Sequence, residues 1–397
     1  MGHSQRHWLA VRGFLNSRRH ELGLAAQHLY PQSWRVAGTP LLARPGWLPA
    51  APVPLGQVTL TWRDGDPPAP GHRSPAPPPV GGAVVDGTGP EFADVLPLRD
   101  DGSRFRCYAD ALAALARPGL FEDRTCYRLL AAAARPGGTQ LAFGPGRYFD
   151  MVNVCEAAAH EYAAAAMAAS GADQTPQPAD LPLRSLVGDP ADLGRRRVTV
   201  ALCTLVLRAD RASGDAAMLL HWRDPARVAS GGGLYQVAPV GVFQPSHDAA
   251  WNQANDFDLW RSIVRELSEE LLGTGEDYRS DLAPIDYQRW PLYAGLAEAM
   301  QAGKLQVYWL GLGVDPLTMA ADMLTVAVFD AEIFDAVFAG LVAGNDEGRL
   351  VTGRARAGAG VAFIEENVQR FTGAEPMQAA GAALLRIAWA HRSILLG

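Results

Sequence analysis

Between Asp258 and Leu272 the chain carries a pattern that few folds can accommodate. At about 100° per residue, Trp260, Ile263, Val264, Leu267 and Leu271 gather on one face, so the segment reads as an amphipathic helix laid on a core. Glu266, Glu269 and Glu270 stand at i, i+3 and i+4, adjacent on another face. Carboxylates that close repel one another and weaken the helix, and packing has no use for them. A hard divalent cation removes that cost, because magnesium takes oxygen ligands and keeps positions open for phosphate oxygens. Arg265, beside the cluster, can anchor Glu269 or Asp258 and fix ligand geometry. The plainer alternative is a solvated acidic face, which is common in soluble proteins.

The remaining sequence sets this helix in a two-part chain. At 397 residues, with 48% hydrophobic and 19% charged residues, there is apolar material for more than one core. The N-terminal part, 1–182, reads as a mainly helical domain, with helices over Leu15–Tyr30, Tyr108–Ala116, Arg124–Ala134 and Val152–Ala169 and a short strand at Leu55–Trp62. It is interrupted by a Pro-rich spacer at 64–90, and a second linker spans Gly171–Pro182. Beyond the second linker, strands are expected at Val198–Leu207, Ala217–Trp222, Leu234–Ala238, Leu305–Val314 and Leu324–Phe329. Helices are expected there at Ala331–Val342, Gly360–Phe371 and Pro376–Leu396. Strands interleaved with helices make 196–397 an α/β (α+β) domain.

Charge and cysteine usage narrow the function classes. A net charge of −7 argues against a surface that coats nucleic acid or anionic lipid. No apolar run reaches the length of a membrane span, and Met1–His20 lacks the apolar core of a signal peptide, so a cytoplasmic location is expected. The four cysteines, Cys107, Cys126, Cys155 and Cys203, are scattered without a CxxC pair and read as buried thiols.

The helix and its flanks resemble the Nudix box. Arg265-Glu266-Leu267-Ser268-Glu269-Glu270 matches the Arg-Glu-aliphatic-x-Glu-Glu core, and Pro239-Val240-Gly241-Val242-Phe243 resembles the segment that ends a strand and supplies the box glycine. The resemblance implies a mixed sheet sandwiched by helices over roughly the C-terminal half of the chain. It also implies a magnesium site, with manganese as an alternative ion, formed by Glu266, Glu269, Glu270 and the Gly241 carbonyl. The sequence departs from the box in three places. The stretch from Gly241 to Arg265 is longer, with an enlarged loop over Gln244–Phe257. Phe257 stands where the box has a glutamate eight positions before the arginine, and Gly273 comes one residue late. Asp258, two helical turns before Arg265, falls on the same face and could substitute.

The activity that this resemblance implies is magnesium-dependent hydrolysis of a nucleoside diphosphate linked to another moiety. Glu266, Glu269 and Arg265 would be the working residues. Glu347, in the polar turn Asn345-Asp346-Glu347-Gly348, would be the added carboxylate that such enzymes take from a later loop. His221, Arg223 and Arg227 flank the strands before the box and could contact phosphates, although a plain surface side chain is the better reading of each. The alternative is a non-catalytic sensor of a nucleotide-like ligand, to which the missing glutamate at Phe257 lends weight. The expected partner is a nucleotide-derived small molecule, with no membrane and no nucleic acid; a homodimer is left open. Glu156 and His160 share a helix face at i, i+4, but without an HExxH motif a packed histidine is the better reading.

Overall fold

The computed structural model describes residues 1–63, 84–119, 121–135, 138–169, 176–223, 232–275, 278–342, 348–351 and 360–397. It opens with α1 (His3–Ala26), whose regular helix breaks at Arg18. Strands β1 (Val53–Pro54) and β2 (Val58–Trp62), helix α2 (Tyr108–Leu115) and a long hairpin, β3 (Thr125–Arg135) with β4 (Gly138–Arg147), follow. Next come α3 (Tyr148–Met151), a π turn at Val152–Glu156, α4 (Ala157–Ala168) and α5 (Pro182–Val187).

The segment expected as a helix over Arg124–Ala134 is therefore a strand. Its alanines favour a helix locally, but β3 pairs antiparallel with β4 along its length, with one register shift between Leu129 and Ala131. Its other edge is also engaged, since Tyr127 N donates to Phe243 O at 3.1 Å and Leu129 N to Val198 O at 2.8 Å. Tertiary pairing overrides propensity here.

The C-terminal half builds a mixed sheet from β5 (Val200–Asp210), β6 (Asp215–Met218), β9 (Val240–Val242), β10 (Leu305–Val314), β11 (Ala321–Asp330) and β13 (Val361–Ala362), joined by β1 from the N-terminal part. The order is β1-β10-β11-β5-β6-β13, with β9 on β5. β11 and β5 are parallel, whereas β10 and β11 are antiparallel. A second sheet holds β12 (Gly348–Leu350), β7 (Leu220–Arg223) and β8 (Tyr235–Val237). Helices α6 (Ala250–Asn255), α7 (Leu259–Leu272), α8 (Pro291–Gln301), α9 (Ala331–Val337), α10 (Glu365–Gly373), α11 (Ala379–Ala390) and α12 (Arg392–Leu395) complete the chain. α7 packs on β5 and β9, α11 on β10, β11 and β5, and α9 on β5 and β11, which gives a mixed α/β architecture. The helix expected over Gly360–Phe371 starts later, at Glu365, because 361–362 extend the main sheet beside β6.

Where the described residues touch the two expected linkers, the chain is packed rather than free. Val85 is buried, donating its N–H to Arg195 O at 2.8 Å and accepting from Arg197 N. Leu181 is buried, and Glu161 closes the start of α5 by accepting from Leu183 N (2.6 Å) and Arg184 N (3.0 Å). Linker positions 64–83 and 171–175 lie outside the described residues. One apolar core carries side chains from both parts, including Tyr127, Phe143, Phe243 and Leu267.

Glu156 and His160 are held by packing. Glu156 takes Arg12 (3.3 Å) and Arg19 (2.9 Å), all three nearly sealed from solvent, which locks α1 onto the π turn. His160 shares a hydrogen bond with Tyr108 Oη at 3.1 Å and stacks on Trp8; burial first, then Arg12, pushes its pKa down to about 3. Among the described residues no helix is long and apolar enough to cross a membrane.

Candidate functional site

Helix α7 sits as its pattern requires. Ile263, Val264, Leu267 and Leu271 are fully buried, while Trp260 lies at the edge. Asp258 is the N-cap, its Oδ1 accepting from Arg261 N at 2.8 Å, and Gly273 ends the helix in the left-handed region at φ 66°. This fixes the role of Asp258. It is exposed and spent on the cap, so it does not take the place of the missing box glutamate.

The acid that faces Arg265 is Asp256, where the sequence suggested Glu269 or Asp258. It is fully buried and accepts from Ser246 N (2.7 Å), Ser246 Oγ (2.6 Å), Asn255 Nδ2 (3.0 Å) and Tyr287 Oη (2.9 Å). Its Oδ2 also lies 3.8 Å from an Arg265 guanidinium nitrogen. Arg265 donates in addition to Gln244 O at 2.7 Å and Ser262 Oγ at 3.0 Å. Burial works against the Arg265 charge, but Tyr287, Asp256, Glu266 and Glu269 outweigh it and hold the guanidinium's pKa above its usual value.

The enlarged loop before the helix is an ordered brace. Its helix α6 anchors through the buried Asn252, which donates to Ser280 O at 2.8 Å. Arg124 donates to Ser246 O at 3.0 Å and Thr125 N to Asp248 Oδ1 at 2.8 Å, tying the loop to β3. Phe257 joins Trp62, Tyr127, Phe143 and Phe243 in one aromatic cluster, with ring centroids 5.0–5.9 Å from Phe257. Phe257 thus docks the N-terminal sheet against the start of α7.

The three glutamates have distinct surroundings. Glu266 lies against Gly241: a Cβ at that glycine would overlap the Glu266 carboxyl atoms, so only glycine lets the carboxylate press on β9. Glu270 is buried, and its Oε1 accepts from Val240 N at 2.8 Å while Oε2 faces His221 Nδ1 at 3.9 Å. Glu269 turns the other way, its Oε1 accepting from Tyr278 Oη at 2.7 Å. Burial first, then Glu269, raises the Tyr278 pKa and keeps its hydroxyl a donor. Two acids and the glycine therefore meet at the three-residue strand β9, and the third acid is held by a tyrosine. Among the described residues no three His, Cys, Asp or Glu side chains form a ready metal-holding group.

His221 and Arg223 lie on β7; the surface position expected for His221 is not found, since its side chain is buried and faces Glu270 Oε2 at 3.9 Å. Glu347 and Arg227 lie outside the described residues. Asp256, Tyr278 and Tyr287 were missed by sequence reasoning. Asp256 gave one usable signal, an acid directly beside the aberrant Phe257; the tyrosines, in the loop after α7, gave none. No protein-family model matches the chain, and no curated protein matches it in sequence.

Proposed function

We propose that the chain is a magnesium-dependent hydrolase of a nucleoside diphosphate linked to another moiety. The observation that carries this reading is the seating of Glu266 on Gly241 with Glu270 hydrogen-bonded to the adjacent Val240 N–H. Nothing in core packing calls for two carboxylates crowded onto one short strand, whereas an oxygen-only donor set suits a hard cation. Glu266, Glu270 and the Gly241 carbonyl would hold the ion, and Glu269 stands one turn away on the same helix. When bound, the ion would supply charge neutralisation for a pyrophosphate and a lower pKa for a bound water.

The chain's own groups orient and constrain. Asp256 and Arg265 fix the start of α7 against the loop, so the glutamates leave the helix in defined directions. Tyr278 holds Glu269 in one rotamer through its hydroxyl. The test is a phosphate-release screen over nucleotide sugars, dinucleotides and oxidised nucleotides, with magnesium present and then withdrawn. Release that needs magnesium is expected. Its absence across the panel overturns the reading.

A second reading, a sensor that binds a nucleotide-like ligand without turnover, is favoured by Phe257, whose ring is committed to the aromatic cluster. Ligand binding that persists without magnesium and without release would select it.

A further inference from the structure

The loop after α7 forms a concavity of about 430 Å³, which lies within the roughly 300–1000 Å³ typical of small-molecule sites. We infer that this concavity, walled by Tyr278, Arg279, Leu282, Pro284, Ile285 and Trp290, seats a flat aromatic ring and that Tyr278 joins the seat to Glu269. The assignment of that ring to the substrate, as its nucleobase, rests on the hydrolase reading.

The walls suit such a ring. Trp290 and Tyr278 meet edge to face, with centroids 5.5 Å apart at 65°, and both are only partly buried. A third flat group completes such a cluster at little entropic cost, because the side chains are already fixed. Trp290 caps the start of α8, and its N–H donates to Asp286 O at 3.0 Å. The far side of the loop is anchored at the buried Ser280, whose carbonyl accepts from Trp251 Nε1 (3.0 Å) and Asn252 Nδ2 (2.8 Å). The seat is thus largely preformed.

Two observations make it more than a surface dimple. Leu282 is 64% exposed, an apolar side chain left in water at the rim. Arg279 adopts φ +53°, a left-handed conformation unfavourable for a side chain of its size, and it places a cationic residue at the mouth. The connection to the acids runs through one residue. The Tyr278 ring lines the seat, while its hydroxyl donates to Glu269 Oε1 at 2.7 Å and lies 3.3 Å from Arg265 O. Tyr278 is thus a positioning residue for Glu269.

Calorimetric titration with adenosine, with ribose as the ring-free control, tests the seat on the full chain. Adenosine is expected to bind and ribose not. Trp290→Ala should weaken adenosine by roughly tenfold or more, with Trp290→Phe restoring most of it, as stacking on an aromatic predicts. On whichever substrate is turned over, Tyr278→Phe should lower kcat with little change in KM, the pattern of a group that positions an acid. Failure of the intact protein to bind adenosine, or unchanged affinity in Trp290→Ala, overturns the seat. Adenosine binding without turnover of any substrate keeps the seat and removes the hydrolase reading. Turnover with KM indifferent to Trp290→Ala keeps the hydrolase reading and overturns the assignment of the seated ring to the substrate.

Discussion

The carboxylate of Glu266 occupies the space that a Cβ on Gly241 would need. The glycine of β9 and the first glutamate of the α7 cluster are therefore one fitted unit, although 25 positions separate them in sequence. Gly241→Ala should expel the carboxylate rather than unfold the chain, because what the new methyl meets is the far end of a flexible side chain. Stability should stay within roughly 1 kcal/mol of the native protein in urea denaturation, as for substitutions that a side chain can evade. Magnesium affinity and phosphate release should fall about 10–100-fold, as when a ligand loses its orientation. A loss of several kcal/mol would show that β9 cannot tolerate the displaced acid.

Glu270 separates its structural duty from its chemical one. Its Oε1 accepts the Val240 N–H at 2.8 Å, a bond that an amide oxygen can also accept. Glu270→Gln should therefore keep stability within about 1 kcal/mol of native, whereas Glu270→Ala removes the acceptor and should cost about 1–3 kcal/mol. If Glu270 is a metal ligand, both substitutions lower turnover by roughly 100-fold. Thermal melts with and without magnesium, run beside the release assay, decide between them. A glutamine variant that is fully active would leave Glu270 a purely structural group.

The course of α7 could be read from residues alone, since its apolar face follows from the helical period. Strands at Leu305–Val314 and along β5 were legible for the same reason: long runs of β-branched and large apolar residues leave little choice. β3 was not legible. Ala131–Ala134 favours a helix in isolation, and the strand exists because β4 covers one edge and the β9–β5 region takes the other. In the site, the glutamates and Gly241 could be named from the motif, but their division of labour could not. That Glu269 faces Tyr278 while Glu266 and Glu270 face β9 depends on where the loop after α7 returns, and the sequence has no local code for that path. Asp258 illustrates the limit. Its spacing from Arg265 suggested a partner, yet a residue just before a helix meets the orphan N–H groups first, and capping took it.

That contrast is directly measurable. Asp256→Ala removes the buried carboxylate that faces the Arg265 guanidinium from outside the glutamate cluster, together with the acceptor for Ser246 and Tyr287. Breaking one side of a buried ion pair costs about 3–5 kcal/mol. Asp258→Ala removes only the cap bond to Arg261 N and should cost about 1 kcal/mol. Chemical denaturation at neutral pH compares the two. Equal losses would mean that Asp256 does not carry the Arg265 charge.

Asp322, on β11, gives the structure a pH signature that one substitution can isolate. Its carboxyl is pushed up from the ordinary 3.8 to about 7, by burial first and then by the neighbouring Asp315, while the Cys203 thiol works the other way. Asp315 is itself committed to a turn, accepting from Leu317 N (2.9 Å) and Thr318 N (2.8 Å). Burial and Asp322 hold the Cys203 thiol well above its usual value, so it stays protonated across the same range. The folded pKa of Asp322 lies above the unfolded one. Its favourable contribution is therefore complete below about pH 4 and is lost as pH rises through about 7. The loss should be on the order of 2 kcal/mol once solvent reaching this partly exposed residue is allowed for. Asp322→Asn keeps the shape and removes the titration. Relative to the native chain, the asparagine variant should therefore gain stability between about pH 4 and about pH 8. Denaturation midpoints of the two proteins across that interval provide the test, read as their difference, so that acids common to both cancel. A difference that does not move with pH would place the Asp322 pKa near its ordinary value and make the β11 acid a solvated one.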